Sequence, residues 1–154
     1  MSLSHLLRPD AVLAALRVNG KKQALQEMSE RAALVSGLSA REILDAILQR
    51  ERLGSTGVGD GVAIPHGKPA KCQQIFGVFA RLERPIDFDA PDALPVDLIL
   101  MLIAPEAAGA DHLKALAMTA RLLRNGAVAA QLRATKDPAA LYALLTMAPT
   151  SNAA

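Results

Sequence analysis

The chain has 154 residues, about half of them apolar, and a formal net charge of only +2. That is enough for one ordinary domain with a sizeable core, and it argues against disorder. The basic residues are scattered, aromatics make up 3% and Trp is absent, which excludes a phosphate-tracking stripe or a stacking platform, so no nucleic-acid partner is expected.

The chain opens Met1-Ser-Leu-Ser-His-Leu-Leu-Arg8. There is no basic start followed by an apolar core and a cleavage site, so this is not a signal peptide. It reads as an irregular lead-in, with His5 an ordinary surface residue. Apolar residues at 25, 28, 32 and 35 mark one face of a helix over 21–35, stopped by Gly37. Ser39-Ala-Arg-Glu42 has the capping-box pattern. The helix it opens carries Ile43, Leu44, Ile47 and Leu48 on one face and ends before Gly54, which puts Arg50 in or near its last turn. Residues 62–65 read as a short strand and 74–82 as a longer, covered one. Pro85 to Pro95, dense in proline and aspartate, reads as a loop. Residues 96–103 form a second buried strand, too short an apolar run to cross a bilayer, and membrane insertion is not expected. Residues 105–110 form another loop. In the helix that follows, Asp111 is a candidate cap and Leu113, Leu116, Ala117, Ala120 and Leu123 are the expected buried stripe, ended by Asn125-Gly126. Short helices are expected at 127–133 and 137–146, the second opening at Asp137-Pro138. The domain therefore covers 1–148, with 149–154 a small, polar, frayed tail. Helices before, between and after strands predict an α/β fold: a single domain whose sheet is covered by helices on both faces.

Cys72 is the sole cysteine, so no intrachain disulfide forms, as in a reducing cytoplasmic setting. Beside Lys71 it is either a mildly activated thiol or, the plainer reading, a structural cysteine.

One stretch carries chemistry: Gly54-Ser-Thr-Gly-Val-Gly-Asp-Gly-Val-Ala-Ile-Pro-His66-Gly-Lys68. Pro65 fixes its own φ and Gly67 adds no Cβ, so His66 sits on a stiff elbow. That suits a nucleophile or ligand; taken alone it also suits a strand-end turn with a surface histidine. A neutral imidazole nitrogen is free to attack phosphorus at neutral pH, and a guanidinium binds two phosphoryl oxygens at once. Arg50 and Arg52 compete for that second role, and both also fit as cations at a helix C-terminus. Ser55 and Thr56 can donate to a phosphate or simply make the turn. On spacing alone His112 reads as a solvent-facing histidine in a helix's first turn. The glycine run lacks the Gly-Lys-Ser/Thr ending of a nucleotide loop. His66, Asp111 and His112 lack the spacing of a metal site, and there is no Gly-x-Ser-x-Gly elbow. Neither metal nor cofactor is expected.

The pieces Arg50-Glu-Arg-Leu-Gly-Ser-Thr-Gly57, Gly61-Val-Ala-Ile-Pro-His-Gly-Lys68, Leu82-Glu-Arg-Pro-Ile-Asp-Phe-Asp89, Pro95-Val-Asp-Leu-Ile-Leu100 and Asp111-His-Leu113 occur in order across the chain. Together they resemble the mannitol/fructose class of enzyme IIA domains of the bacterial phosphoenolpyruvate-dependent sugar phosphotransferase system (PTS). The nearest branch is the nitrogen-related regulatory enzyme IIA (EIIA-Ntr). The resemblance implies a mixed sheet flanked by helices and a phosphotransferase component. His66 would accept a phosphoryl group from an HPr-type carrier, with Nε2 the phosphorylated nitrogen. It implies His112 as the second histidine beside His66 and Arg50 as the phosphoryl clamp. Ser55, Thr56 and Gly67 are supporting residues. Asp60 stands where the family often has asparagine, and is expected to face the turn rather than the site. Val58, Val62 and Ile64 are candidates for an apolar docking rim or for core. Asp60, Asp87 and Asp89 are candidates for steering a basic carrier. The nitrogen-related branch implies regulatory targets such as potassium-transport proteins, which the lack of a fused permease or IIB domain fits. The competing readings are a sugar-specific IIA passing phosphate to a separate IIB, and a binding module without chemistry.

Overall fold

The structure is a computed structural model describing residues 2–147; the expected tail lies outside them. Its elements in chain order are a 3-10 turn at Leu3–His5, β1 (Leu7–Leu16), α1 (Lys21–Ser36), α2 (Ala40–Glu51), β2 (Gly57–Gly59), β3 (Val62–Ala63), β4 (His66–Gly67), β5 (Phe76–Ile86), β6 (Val96–Ile103), α3 (Gly109–Leu123), α4 (Gly126–Ala134) and α5 (Pro138–Met147). The six strands form one mixed sheet in the order β1-β5-β6-β3-β2, with β4 also on β6. β1 runs parallel to β5, and β5 antiparallel to β6. β3 and β4 both run parallel to β6 in one register, Val62 opposite Leu98 and His66 opposite Leu102. Ile64 and Pro65 are therefore a two-residue break in a single run along β6, bridged where Leu102 N–H donates to the Pro65 carbonyl.

The sheet is the core. Every residue from Leu98 to Ile103 is fully buried, so neither face of β6 meets water, the condition of a strand covered on both sides. α1 packs on β1, β5 and α2, α5 on β1, α2 on β4, and α3 on β6. Gly37 ends α1 in the left-handed region at φ 81°. Ser39 caps α2 by accepting from Glu42 N–H, half of the reciprocal box.

Three expectations need correction. The lead-in is not irregular: residues 7–16 form edge strand β1. Pro85 does not end β5, which continues to Ile86 through a register shift after Arg81. Asp111 does not cap α3, because the helix already begins at Gly109. Asn125 does cap, but it caps α4, accepting from Ala127 and Val128 N–H.

Candidate functional site

The site is built where β4, the last turn of α2 and the first turn of α3 converge. His66 is half-buried, and its Nδ1 lies 2.9 Å from the Ile64 carbonyl oxygen. A carbonyl only accepts, so Nδ1 carries the proton and Nε2 keeps its lone pair. Gly67 lets this elbow press against α2: a Cβ there would lie 3.0–3.1 Å from the carbonyl carbon, carbonyl oxygen and Cβ of Ala46. Two residues before His66, the apolar break residue Ile64 is buried.

His112 lies opposite, 5.3 Å from the His66 ring centroid and tilted by 56°. It is 5% exposed, not solvent-facing, and its Nδ1 is buried without a hydrogen-bond partner among the described residues. Burial and the neighbouring His66 and Lys68 push its pKa down to about 4. His66 is also held below the usual imidazole range, chiefly by burial. Arg50 and Lys68 push it the same way, while the Ile64 carbonyl and Glu51 oppose them. Both rings are therefore neutral at pH 7.

Two open cavities of about 480 and 500 Å³ meet at this pair. Arg50, His66, Leu113 and Leu116 line both. The first adds the polar groups Gln49, Lys68 and His112. The second is mostly apolar, with Val58, Ile64, Ala117 and Ala120. Arg50 donates to the Gly54 carbonyl at 2.8 Å, which leaves most of its N–H groups unused. Arg52 is exposed and lines neither cavity, which separates the two arginine candidates. Ser55 and Thr56 border the apolar cavity, but their hydroxyls are engaged elsewhere. Ser55 donates to the Phe88 carbonyl at 2.7 Å, and Thr56 donates to the Glu51 carboxylate. Asp60 is exposed at φ 58°, a left-handed conformation that asparagine and aspartate tolerate best. Its N–H is held by the Asp92 carboxylate and its carbonyl by Arg133, so it serves the turn. Cys72 is buried with its thiol on the Gln74 carbonyl, and burial raises its pKa, which leaves it structural.

The α3 stripe is buried at Leu123 as expected, but the rest of the fully buried face falls one residue away. The buried face is His112, Ala115, Thr119, Leu122 and Leu123. Leu113, Leu116, Ala117 and Ala120 instead line the cavities. Sequence reasoning also passed over Glu51, Lys68, Gln49 and Leu53. Their signal was position: Gln49 and Glu51 flank Arg50, Leu53 follows in the same turn, and Lys68 lies two residues after His66.

A sheet that presents a neutral, anchored histidine beside a second histidine, in a cavity lined by an arginine that has no carboxylate partner among the described residues, defines a class of α/β proteins built around one histidine. The chain belongs to the phosphoenolpyruvate-dependent sugar phosphotransferase system EIIA 2 family, whose sequence profile matches residues 5–148. Within it the chain falls with the nitrogen-regulatory members. It is 55% identical to a nitrogen regulatory protein of Bradyrhizobium diazoefficiens, covering 99% of this chain and all of that one. The nitrogen regulatory protein IIA-Ntr of Neisseria meningitidis superposes with a TM-score of 0.87 at 35% identity, over 92% of this chain and 97% of that one. The mannitol IIA of Escherichia coli superposes at 0.77 over 90% and 98%, and at 20% identity it shows the fold alone. Among the described residues no helix is long and apolar enough to cross a membrane.

Proposed function

We propose that this protein is a phosphohistidine carrier and regulator. His66 takes a phosphoryl group from an HPr-type carrier, and its phosphorylation state decides which partners the protein binds. The observation that carries the reading is the anchoring of His66 Nδ1 on the Ile64 carbonyl, which aims the reactive lone pair of Nε2 away from its own backbone. Nε2 attacks phosphorus while the N–P bond of the donor phosphohistidine breaks. The donor nitrogen keeps the electron pair and later takes up a proton. Phosphoryl transfer of this kind is mostly positioning plus electrostatics. Arg50 and Lys68 supply the positive charge, and His112 supplies an N–H for one oxygen.

Regulation follows from the charge change. A phosphoryl group adds one to two negative charges and several acceptor oxygens to an open, partly apolar face. Kinship with nitrogen-regulatory proteins supports a signalling output, and the resemblance points to potassium-transport components as targets.

The deciding experiment is intact mass after incubation with phosphoenolpyruvate, enzyme I and an HPr-type carrier. One acid-labile phosphoryl group is expected on the native chain and none on His66→Ala. Unchanged modification of that variant would sink the reading.

A further inference from the structure

Thr56 and Ile64 face each other in the hairpin that leads to His66. Gly57 pairs with Ala63 where β2 and β3 run antiparallel, which sets Thr56 opposite Ile64 one step further from the turn. Ile64 N–H donates to the Thr56 carbonyl at 3.0 Å, so this is a position of the ladder where opposed residues exchange two bonds. Among the described residues the return bond, from Thr56 N–H to the Ile64 carbonyl, is not made. Thr56 N–H points instead to Glu51 Oε1 at 3.3 Å, and the Thr56 hydroxyl donates to Oε2. The oxygen thereby spared is the one that holds His66, whose Nδ1 lies 2.9 Å from it.

The peptide plane carrying that oxygen has the Pro65 nitrogen at its other end, so it has no N–H of its own to tie it down. It is held only through its neighbours. Ile64 N–H rests on Thr56, and the Pro65 carbonyl accepts from Leu102 N–H at 2.9 Å. The second anchor is main chain on β6. The first depends on a side chain, because the Glu51 carboxylate grips Thr56 at both N–H and hydroxyl. That carboxylate is itself fixed: it is 6% exposed and meets Lys21 Nζ at 2.8 Å.

We propose that Glu51 is a positioning residue for His66. By drawing the Thr56 N–H out of the hairpin ladder, it reserves the Ile64 carbonyl for His66 Nδ1–H and so sets which ring nitrogen stays bare. The consequence for phosphoryl uptake rests on the phosphoryl-transfer reading, whereas the tautomer does not. A carbonyl has two lone pairs, so without Glu51 the Thr56 N–H would compete with the ring rather than exclude it. The result is a mixture of tautomers, and a neutral ring with its proton on Nε2 has no lone pair there to offer phosphorus.

The test compares Glu51→Leu with Glu51→Gln, each combined with Lys21→Met so that neither leaves a buried cation without its partner. The two then differ in whether Thr56 N–H keeps an acceptor. One readout is the His66 tautomer, from ring nitrogen shifts by NMR above the titration midpoint. The other is kcat against KM for phosphoryl uptake from the carrier. The native chain is expected to hold the proton on Nδ1, and a native ring protonated on Nε2 overturns the proposal. Glu51→Leu should abolish that preference and lower kcat about tenfold with KM little changed, because alignment rather than docking is lost. Glu51→Gln should keep Nδ1–H and a kcat within about threefold of native, since its amide oxygen still accepts from Thr56. A contact that merely braced the fold would lower the urea midpoint and leave the tautomer native-like in both. That result overturns the proposal, as does an equal loss of the preference in both. If Glu51→Leu does not fold, Glu51→Asp with Lys21 intact decides. The flexible Lys21 side chain can follow the shortened carboxylate and the Thr56 main chain cannot, so the preference must weaken; an unmoved tautomer overturns the proposal. Should the native chain take up no phosphoryl group, the functional reading fails, while the tautomers still decide the role of Glu51.

Discussion

His112 and His66 solve one problem with opposite tautomers. A buried N–H without an acceptor costs more than a buried lone pair without a donor. The unpartnered Nδ1 of His112 is therefore the bare nitrogen, and its Nε2 carries the proton toward the cavity. His66 does the reverse, with Nδ1–H on Ile64 and a bare Nε2. In the proposed transfer, one ring would donate where the other attacks. The arrangement requires both to stay neutral, and it couples stability to pH. A histidine whose folded pKa lies below its unfolded value contributes stability that is complete above the unfolded value and lost as pH falls toward the folded one. For His112 that window runs from 6.5 down to about 4, and His66 adds in the same direction. Urea unfolding at pH 7 and pH 5 is thus expected to show a weaker protein at pH 5. His112→Asn, which cannot titrate, should reduce the difference; an unaltered difference would remove His112 from the account. His112→Ala should leave His66 modifiable while changing the lifetime of the phosphorylated form, read by acid-labile phosphate over time.

The elements meet at glycines whose missing side chains decide the geometry. At Gly67 a Cβ would press into the backbone of Ala46 in α2, which can yield only by moving the helix. Gly67→Ala is expected to cost about 1–3 kcal/mol by overpacking, read from the urea midpoint, and to displace His66 from α2. Gly61 has φ +80°, and a Cβ there would lie 2.6 Å from Arg133 Nη2. That arginine bolts the glycine turn to the sheet through Asp97 and the Asp60 carbonyl. Gly61→Ala should therefore destabilise both by strain and by displacing the bolt, with a larger midpoint shift than Gly20→Ala, where nothing lies within 4 Å. These contacts also mark what a sequence can and cannot reveal. The helices were legible from apolar spacing, the cap Ser39 and the stop at Asn125-Gly126, and β6 from its unbroken apolar run. β1 was not, because Pro9 and Asp10 break its alternation. The strand tolerates them at a sheet edge, where its register with β5 shifts between Leu7 and Val12. The α3 stripe was legible in part: Leu123 is core and Leu116 and Ala120 pack against it, whereas Leu113 and Ala117 face the cavity, because periodicity reports an apolar face without saying what covers it. The histidine elbow was legible from local stiffness. The Lys21–Glu51 pair was not, since only the folded chain brings residues at the ends of two helices together.

For the whole molecule, transfer between two histidines requires an open face that still excludes water from the labile bond. The apolar rim is not Val62 or Ile64, which are core. Under the proposed function the rim would be Leu53, just past α2, and Leu113 on α3, 84% and 67% exposed, on the borders of the cavity that holds Arg50, His66 and Lys68. Exposed leucines around a charged depression fit transient docking better than a permanent interface. Leu113→Asp is expected to raise the apparent KM for the phosphorylated carrier about tenfold or more with kcat little changed, because it removes uniform binding rather than transition-state contacts. Steering is a separate matter. Asp60, Asp87 and Asp89 are all exposed and can attract a basic carrier surface, an effect that weakens as salt shortens the Debye length. Asparagine at these positions keeps the local structure: Asp60 and Asp89 have positive φ, which asparagine tolerates, and the Asp87 acceptor for Asp89 N–H survives as an amide oxygen. The triple Asp→Asn variant should therefore fold normally, associate more slowly at low salt and show a flatter salt dependence in stopped-flow transfer. A native rate already flat in salt, or a variant with the same slope, would assign partner selection to the leucine rim alone.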